Sequence, residues 1–176
     1  MFDVIEKARI FACAAHAAVG QKRKYTNEPY HFHTQEVAYM VSKIPGATDE
    51  MIAAAHLHDV VEDTSATITD IHCEFGSIIA SYVHWLTDVS TPADSNREQR
   101  KEKDRNNIRN APGEVHSIKC CDIISNVTSI VHHDKNFAKI YVVEKEKLLG
   151  VLTNAEPGIL NMAKRTVEEA KTQLNK

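Results

Sequence analysis

Apolar residues recur three and four positions apart along most of this chain, and no run alternates with period two. Val4, Ile5, Ala8, Phe11, Ala12 and Ala15 predict a helix over about 2–19, with Gly20 suited to end it. Val37, Met40, Val41 and Ile44 predict a second helix over 34–44, with Thr34 as its N-cap and Pro45-Gly46 as its break. Thr48 caps a third, which starts near Asp49 and runs through Ala53, Ala54 and Ala55 toward a cluster of charges. Thr67 and Asp70 fit a capping box that opens a fourth. Phe75-Gly76 punctuates it, and Ile78, Ile79, Tyr82, Val83 and Leu86 carry the next.

A polar loop over 87–96 follows, and then the charged run 97–105, which reads as an exposed helix laced with ion pairs. Pro112-Gly113 breaks the chain again before a strongly apolar helix over 115–131. Helices over about 136–150 and 156–174 read as packing and closure elements. The expected fold is therefore all-α: a compact bundle of about eight helices, forming a single domain over 1–176 without internal repeat.

Composition narrows the class. A chain of 176 residues with 43% hydrophobic and 26% charged residues has enough apolar material for one ordinary soluble domain. Its formal net charge of -3 supplies no overall basic field, so no nucleic-acid partner is expected. No stretch is apolar enough to span a membrane, and the amphipathic start lacks a signal peptide's apolar run. A cytoplasmic setting is the expectation. Cys13, Cys73, Cys120 and Cys121 form no CxxC pair and read as reduced, packed thiols. Of the ten histidines, His16, His72, His84, His116, His132 and His133 read as surface or core positions, and His31 and His56 lie near candidate ligands but out of phase with them.

The chemistry gathers at the end of the third helix, in His58-Asp59-Val60-Val61-Glu62-Asp63. On a continuous helix, His58 and Glu62, and Asp59 and Asp63, are four residues apart and share a side. One imidazole and three carboxyl groups then crowd a helix C-terminus, whose partial negative charge disfavours acids. A bound cation would relieve that repulsion. Further along, Asp122 and Asn126 project from one face of an otherwise buried helix, and a buried carboxylate needs a partner. Between the first two helices, the basic and aromatic loop around Arg23, Lys24, Tyr25 and Tyr30 suits a clamp for phosphates and a ring.

His33, the pair His58-Asp59 and the distant Asp122 together resemble the HD superfamily of metal-dependent phosphohydrolases. Arg23-Lys24 ahead of Glu28-Pro29-Tyr30 and His33, the HDxxED run, and the stretch from Lys119 through Asp122 to Asn126 resemble more closely the hydrolase domain of RelA/SpoT proteins. The short chain is similar to the stand-alone small alarmone hydrolases. The resemblance runs to roughly Val131. It implies a metal site of His33, His58, Asp59 and Asp122, with Glu62 and Asp63 orienting water or moving a proton. Such a nitrogen and oxygen donor set suits manganese, iron, cobalt or zinc; the family implies Mn²⁺.

The implied reaction is hydrolysis of the 3′-diphosphate of guanosine tetra- or pentaphosphate, with a small-molecule nucleotide as the partner. Carried over by motif position, Arg23 and Lys24 line the nucleotide pocket, Asn126 meets the ribose region, and Arg100 and Lys101 face the diphosphate. Lys119 is expected on the solvent side of its helix. The chain departs from the family pattern at His31, at Thr34 (usually Pro), at His56 (usually Leu) and at Cys120-Cys121 (usually Leu-Ala). These departures leave guanine against adenine open. Two other readings stand beside it: an HD phosphohydrolase for another nucleotide or a 2′- or 3′-phosphomonoester, such as an NADPH phosphatase, which shares the ligands, and a non-catalytic nucleotide sensor that keeps the fold. A sensor has no need of Glu62-Asp63.

Overall fold

Ten helical segments make up the regular structure of residues 3–175, the part of the chain that this computed structural model describes. Among those residues the only β-type pairing recorded is an isolated bridge between Lys22 and Pro29, so the all-α expectation holds. Phe2, the expected start of the first helix, lies outside the described residues. No described helix is long and apolar enough to cross a membrane. The chain separates into two compact units, one reaching Thr87 and the other beginning at Asp88.

The first unit holds α1 (Val4–Ala18), α2 (His31–Val41), α3 (Asp49–Leu57), α4 (Val60–Asp63), α5 (Ile68–Phe75) and α6 (Ser77–Leu86). Asp3 caps α1 by accepting from Glu6 N–H, Thr48 caps α3 from Met51 N–H, and Thr67 and Asp70 close the capping box of α5. α3 packs against α1, α2 and α6. Its Ala53, Ala54, Ala55 and Leu57 are wholly buried. Three small side chains in a row let neighbouring helices approach from several sides, which makes α3 the axis of this unit. Burying Leu57 alone contributes roughly 1.5–3 kcal/mol.

The second unit holds α7 (Arg97–Ile108), α8 (Gly113–His133), α9 (Lys135–Leu149) and α10 (Pro157–Leu174). α8 is the long apolar element and packs on both α9 and α10. Val115, Ile118, Cys120, Cys121 and Ile123 are fully buried on it. Gly113 opens α8 beneath the Asn154 carbonyl, and a Cβ there would collide with that oxygen. His116 is a core residue: its Nε2 lies 2.8 Å from Ile108 O, and its Nδ1 accepts from Asn154 N–H at 3.1 Å. All four cysteines are free thiols, Cys120 and Cys121 buried, Cys13 half-buried and Cys73 exposed.

Two local expectations are corrected. Thr34 does not cap α2, which starts a turn earlier at His31; its hydroxyl donates back to His31 O instead. The third helix does not continue through the charged motif. It stops at Leu57 and resumes as the four-residue α4, with His58 and Asp59 in the gap. That break adds the short α4 to the nine helical stretches read from the sequence and makes ten.

Candidate metal centre and active site

Breaking the helix at His58-Asp59 creates the geometry that a continuous helix denies. Adjacent residues on a helix point about 100° apart. Here Asp59 takes φ -101° and ψ -4°, in the sparsely populated bridge region, and its carboxylate swings beside the preceding imidazole. Asp59 Oδ2 lies 3.1 Å from His58 Nε2 and 3.7 Å from His33 Nε2. His33, on the first turn of α2, and His58 are each 1% exposed, and their rings lie 5.2 Å apart. One donor atom from each of His33, His58 and Asp59 falls within 4.8 Å of the others.

The donors are prepared for a cation. His58 Nδ1 lies 2.8 Å from Ala55 O, so Nδ1 carries the proton and Nε2 presents its lone pair toward Asp59. Tyr30 Oη donates to Asp59 Oδ2 at 2.6 Å and fixes the carboxylate from the other side. Two imidazole nitrogens and a carboxylate oxygen suit a divalent transition metal.

Glu62 and Asp63 lie on α4, one turn beyond the ligands, and both are exposed. Asp63 is open to solvent at one edge, but the part of its carboxylate packed against the protein raises its pKa, and the charge of Asp59 adds to this against the lowering hydrogen bond from Gln21. Arg23 and Lys24 stand in the connection between α1 and α2. Arg23 N–H bonds Glu28 O at 2.8 Å, and Lys24 Nζ lies 5.0 Å from the Tyr25 ring. Tyr30, one of two candidate ring platforms, gives its hydroxyl to Asp59.

In the second unit, Asp122 is 4% exposed on α8, where it accepts from Asn126 Nδ2 at 2.6 Å and pairs with Lys119 Nζ at 3.0 Å. Lys119 is therefore not a solvent-side residue; its ammonium is turned along the helix to Asp122, with only 14% of the side chain exposed. Lys101 Nζ pairs with Asp88 at 2.7 Å and with Asp104 at 3.6 Å. Burial opposes ionisation of Asp88, but the charges of Lys119 and Lys101 outweigh it and hold the carboxyl below its usual range. Arg100 Nη1 donates to Ser95 O at 2.9 Å. Burial and the nearby Lys119 push the Lys145 ammonium down to about 8.

Gln21 and His16 in the first unit, and Asp88 and Lys145 in the second, carry no direct site signal in the sequence; Tyr30 reads there as a ring platform rather than as the partner of Asp59. For Gln21 there was a usable signal: the glycine stop at Gly20 folds the following residue back onto the end of α1.

The HD-domain family model matches residues 8–145. A guanosine-3′,5′-bis(diphosphate) 3′-pyrophosphohydrolase of Drosophila melanogaster, MESH1, is 31% identical over 128 residues, which is 70% of this chain and 70% of that protein. A probable enzyme of the same name from Synechocystis is 41% identical over 78 residues, 44% of this chain. The chain spans only about a tenth of the length of that bacterial relative and of others like it. Among solved structures, a metazoan ortholog of SpoT, described as hydrolysing ppGpp, superposes with a TM-score of 0.84 at 22% identity, covering 96% of each chain. A Listeria monocytogenes protein superposes with a TM-score of 0.66 at 24% identity, covering 82% of this chain and 99% of that one. The likeness extends over more than half of the sequence and includes both halves of the His-Asp motif, so this chain belongs to the HD-domain family.

Proposed function

We propose that this chain hydrolyses the 3′-diphosphate of guanosine tetra- or pentaphosphate, releasing pyrophosphate and GDP or GTP, and that its cofactor is Mn²⁺. The observation that carries the reading is the meeting of His33, His58 and Asp59 around one point, in a chain whose relative MESH1, matched over 70% of each protein, bears the name of that activity. Asp122 is the fourth ligand in this reading by motif position, and the whole of 1–176 acts as one HD-type catalytic domain. When bound, a divalent cation supplies Lewis-acid chemistry: it acidifies water and offsets negative charge on phosphoryl oxygens.

The chain's own residues do the rest. Glu62 and Asp63 orient the water that attacks the phosphorus next to O3′ and take up its proton. The P–O3′ bond breaks, and a proton returns to the ribose oxygen. Arg23 and Lys24 hold the nucleotide, and Arg100 and Lys101 meet the diphosphate. Asn126 contacts the ribose region; its amide donates to Asp122 at 2.6 Å, so the same side chain also steadies that carboxylate. In the cell this reaction removes an alarmone of the stringent response from the cytoplasm.

The test measures pyrophosphate release from the guanosine and adenosine 3′-diphosphate alarmones, and phosphate release from NADPH, with Mn²⁺ and with chelator. Metal-dependent pyrophosphate release that disappears in Asp59→Ala is the expected result, and the ratio between purines gives the base preference. No release from either alarmone by metal-loaded protein would overturn the proposal. Phosphate from NADPH would then favour the phosphatase, and silence on all three the sensor.

A further inference from the structure

The turn that ends α1 carries an arrangement that the ligand set does not use. Gly20 stands at φ +64°. Its N–H bonds Ala17 O at 3.0 Å, and Gln21 N–H bonds His16 O at 3.0 Å. This paired closure is the left-handed helix stop that favours glycine. It folds Gln21 back over His16 and brings the two side chains together.

Gln21 Oε1 lies 2.6 Å from His16 Nδ1, and Gln21 Nε2 donates to Asp63 Oδ2 at 2.8 Å. An amide has one accepting end and one donating end. A carboxylate only accepts, so the NH₂ must face Asp63 and the oxygen must face His16. His16 therefore carries its proton on Nδ1, and the three groups run donor to acceptor from His16 through Gln21 to Asp63. His16 is 1% exposed, and its ring lies 4.8 Å from that of Tyr30. Its Nε2 has no hydrogen-bond partner among the described residues, so Gln21 is its one polar anchor there. Burial lowers its pKa, so the ring stays neutral with its one proton on Nδ1. Asp63 Oδ1 has no such partner among the described residues.

We propose that Gln21, oriented by His16, is a positioning residue for Asp63: it holds Oδ2 and leaves Oδ1 to handle the proton of the reaction. The inference rests on the reading of Asp63 as a proton-handling carboxylate. It assigns His16, an apparent core histidine, and Gln21, an apparent loop residue, to the chemistry. Neither reaches the ligands His33, His58 and Asp59 by a recorded hydrogen bond, so their effect should fall on turnover and spare metal binding.

The experiment compares Gln21→Leu, His16→Phe and His16→Asn with the wild type, reading kcat, KM, metal content and Tm. Gln21→Leu should lower kcat about 10- to 100-fold, the range for lost supporting contacts, with KM and metal content near wild type and Tm a few degrees lower, because buried His16 loses its partner. His16→Phe keeps the ring and loses the donor, and kcat should fall about tenfold. His16→Asn restores an N–H where Nδ1–H stood and should recover most of that loss. Independently of activity, ¹⁵N NMR of the metal-free protein should show the Gln21 side-chain NH₂ shielded from exchange, and the shielding should vanish in Asp63→Ala. Wild-type kcat in Gln21→Leu, or a Gln21 NH₂ that exchanges like a free amide, would overturn the inference. If the wild type turned over no alarmone, the proposed reaction would fall, and the NMR result would still decide whether the three residues are linked.

Discussion

Tyr30 Oη donates to Asp59 Oδ2 at 2.6 Å, the same oxygen that lies 3.1 Å from His58 Nε2. Asp59 belongs to the break between α3 and α4, and Tyr30 is the residue before α2. The hydroxyl thus sets the rotamer of a ligand across 29 residues of sequence. Tyr30→Phe removes only that hydroxyl. A net loss of one hydrogen bond costs about 1 kcal/mol of stability. Loss of a contact that orients a metal ligand weakens metal affinity about 10- to 100-fold. Calorimetric titration with Mn²⁺ should show the weaker binding with the fold intact, and an unchanged Kd would show that Asp59 needs no such support.

Metal should also stabilise the folded chain. His33, His58 and Asp59 converge only in the native fold, so a cation binds there and not to the unfolded state. At a hundred times its Kd the gain is about 2.7 kcal/mol. Mn²⁺ should therefore raise Tm, chelator should reverse the rise, and Asp59→Ala should abolish it. A rise that persists in Asp59→Ala would place the cation elsewhere.

Most helices were legible in the sequence, because each is bounded by chemistry that acts within one turn. Thr48, Thr67 and Gly20 work through hydrogen bonds three or four residues away, and period alone reveals Ile79 and Val83 as inward. The break at His58-Asp59 was not legible. No glycine or proline marks it, and the spacing of Glu62 and Asp63 imitates an unbroken helix. Two side-chain contacts hold the break: a local one, His58 Nδ1 to Ala55 O three residues back, and a tertiary one, Tyr30 Oη to Asp59. Lys119 was misjudged for a related reason. A polar residue on a buried helix reads as solvated until its partner, Asp122, is seen at 3.0 Å.

Asp104 makes the same point inside the charged run of α7, where most side chains read as solvated. It is 8% exposed, and it accepts from Val89 N–H, Ser90 N–H and Ser90 Oγ at 2.9–3.1 Å. Lys101 approaches it at 3.6 Å. The carboxylate ties the start of the polar loop to α7. Asp104→Ala removes the acceptor for three donors at once and should cost about 2–4 kcal/mol. Asp104→Asn keeps one oxygen for the two backbone donors and should cost roughly half as much. Urea unfolding measures both; equal, small losses would mean that water replaces the carboxylate freely.

His56 gives a pH dependence with a definite sign. It sits on α3, 6% exposed, and its Nδ1 has no hydrogen-bond partner among the described residues. Burial, helped by the positive charge of Arg9, lowers its pKa from 6.5 to about 4. The folded state therefore resists a proton that the unfolded chain accepts readily. Stability is fully present above pH 6.5 and drains away as pH falls toward 4. The whole difference amounts to about 3 kcal/mol, and most of it is lost by about pH 4.5. His56→Leu puts an apolar side chain of similar size in its place and removes the titration. At pH 7.5 it should gain about 1 kcal/mol by removing an unsatisfied buried nitrogen. By about pH 4.5 its advantage should grow by a further 2–3 kcal/mol. His16, whose pKa burial also lowers, leaves a residual acid sensitivity of the same sign in the variant. Denaturant midpoints at the two pH values decide the matter: an advantage that does not widen on acidification would mean that His56 is reached by water and protonates without strain on the fold.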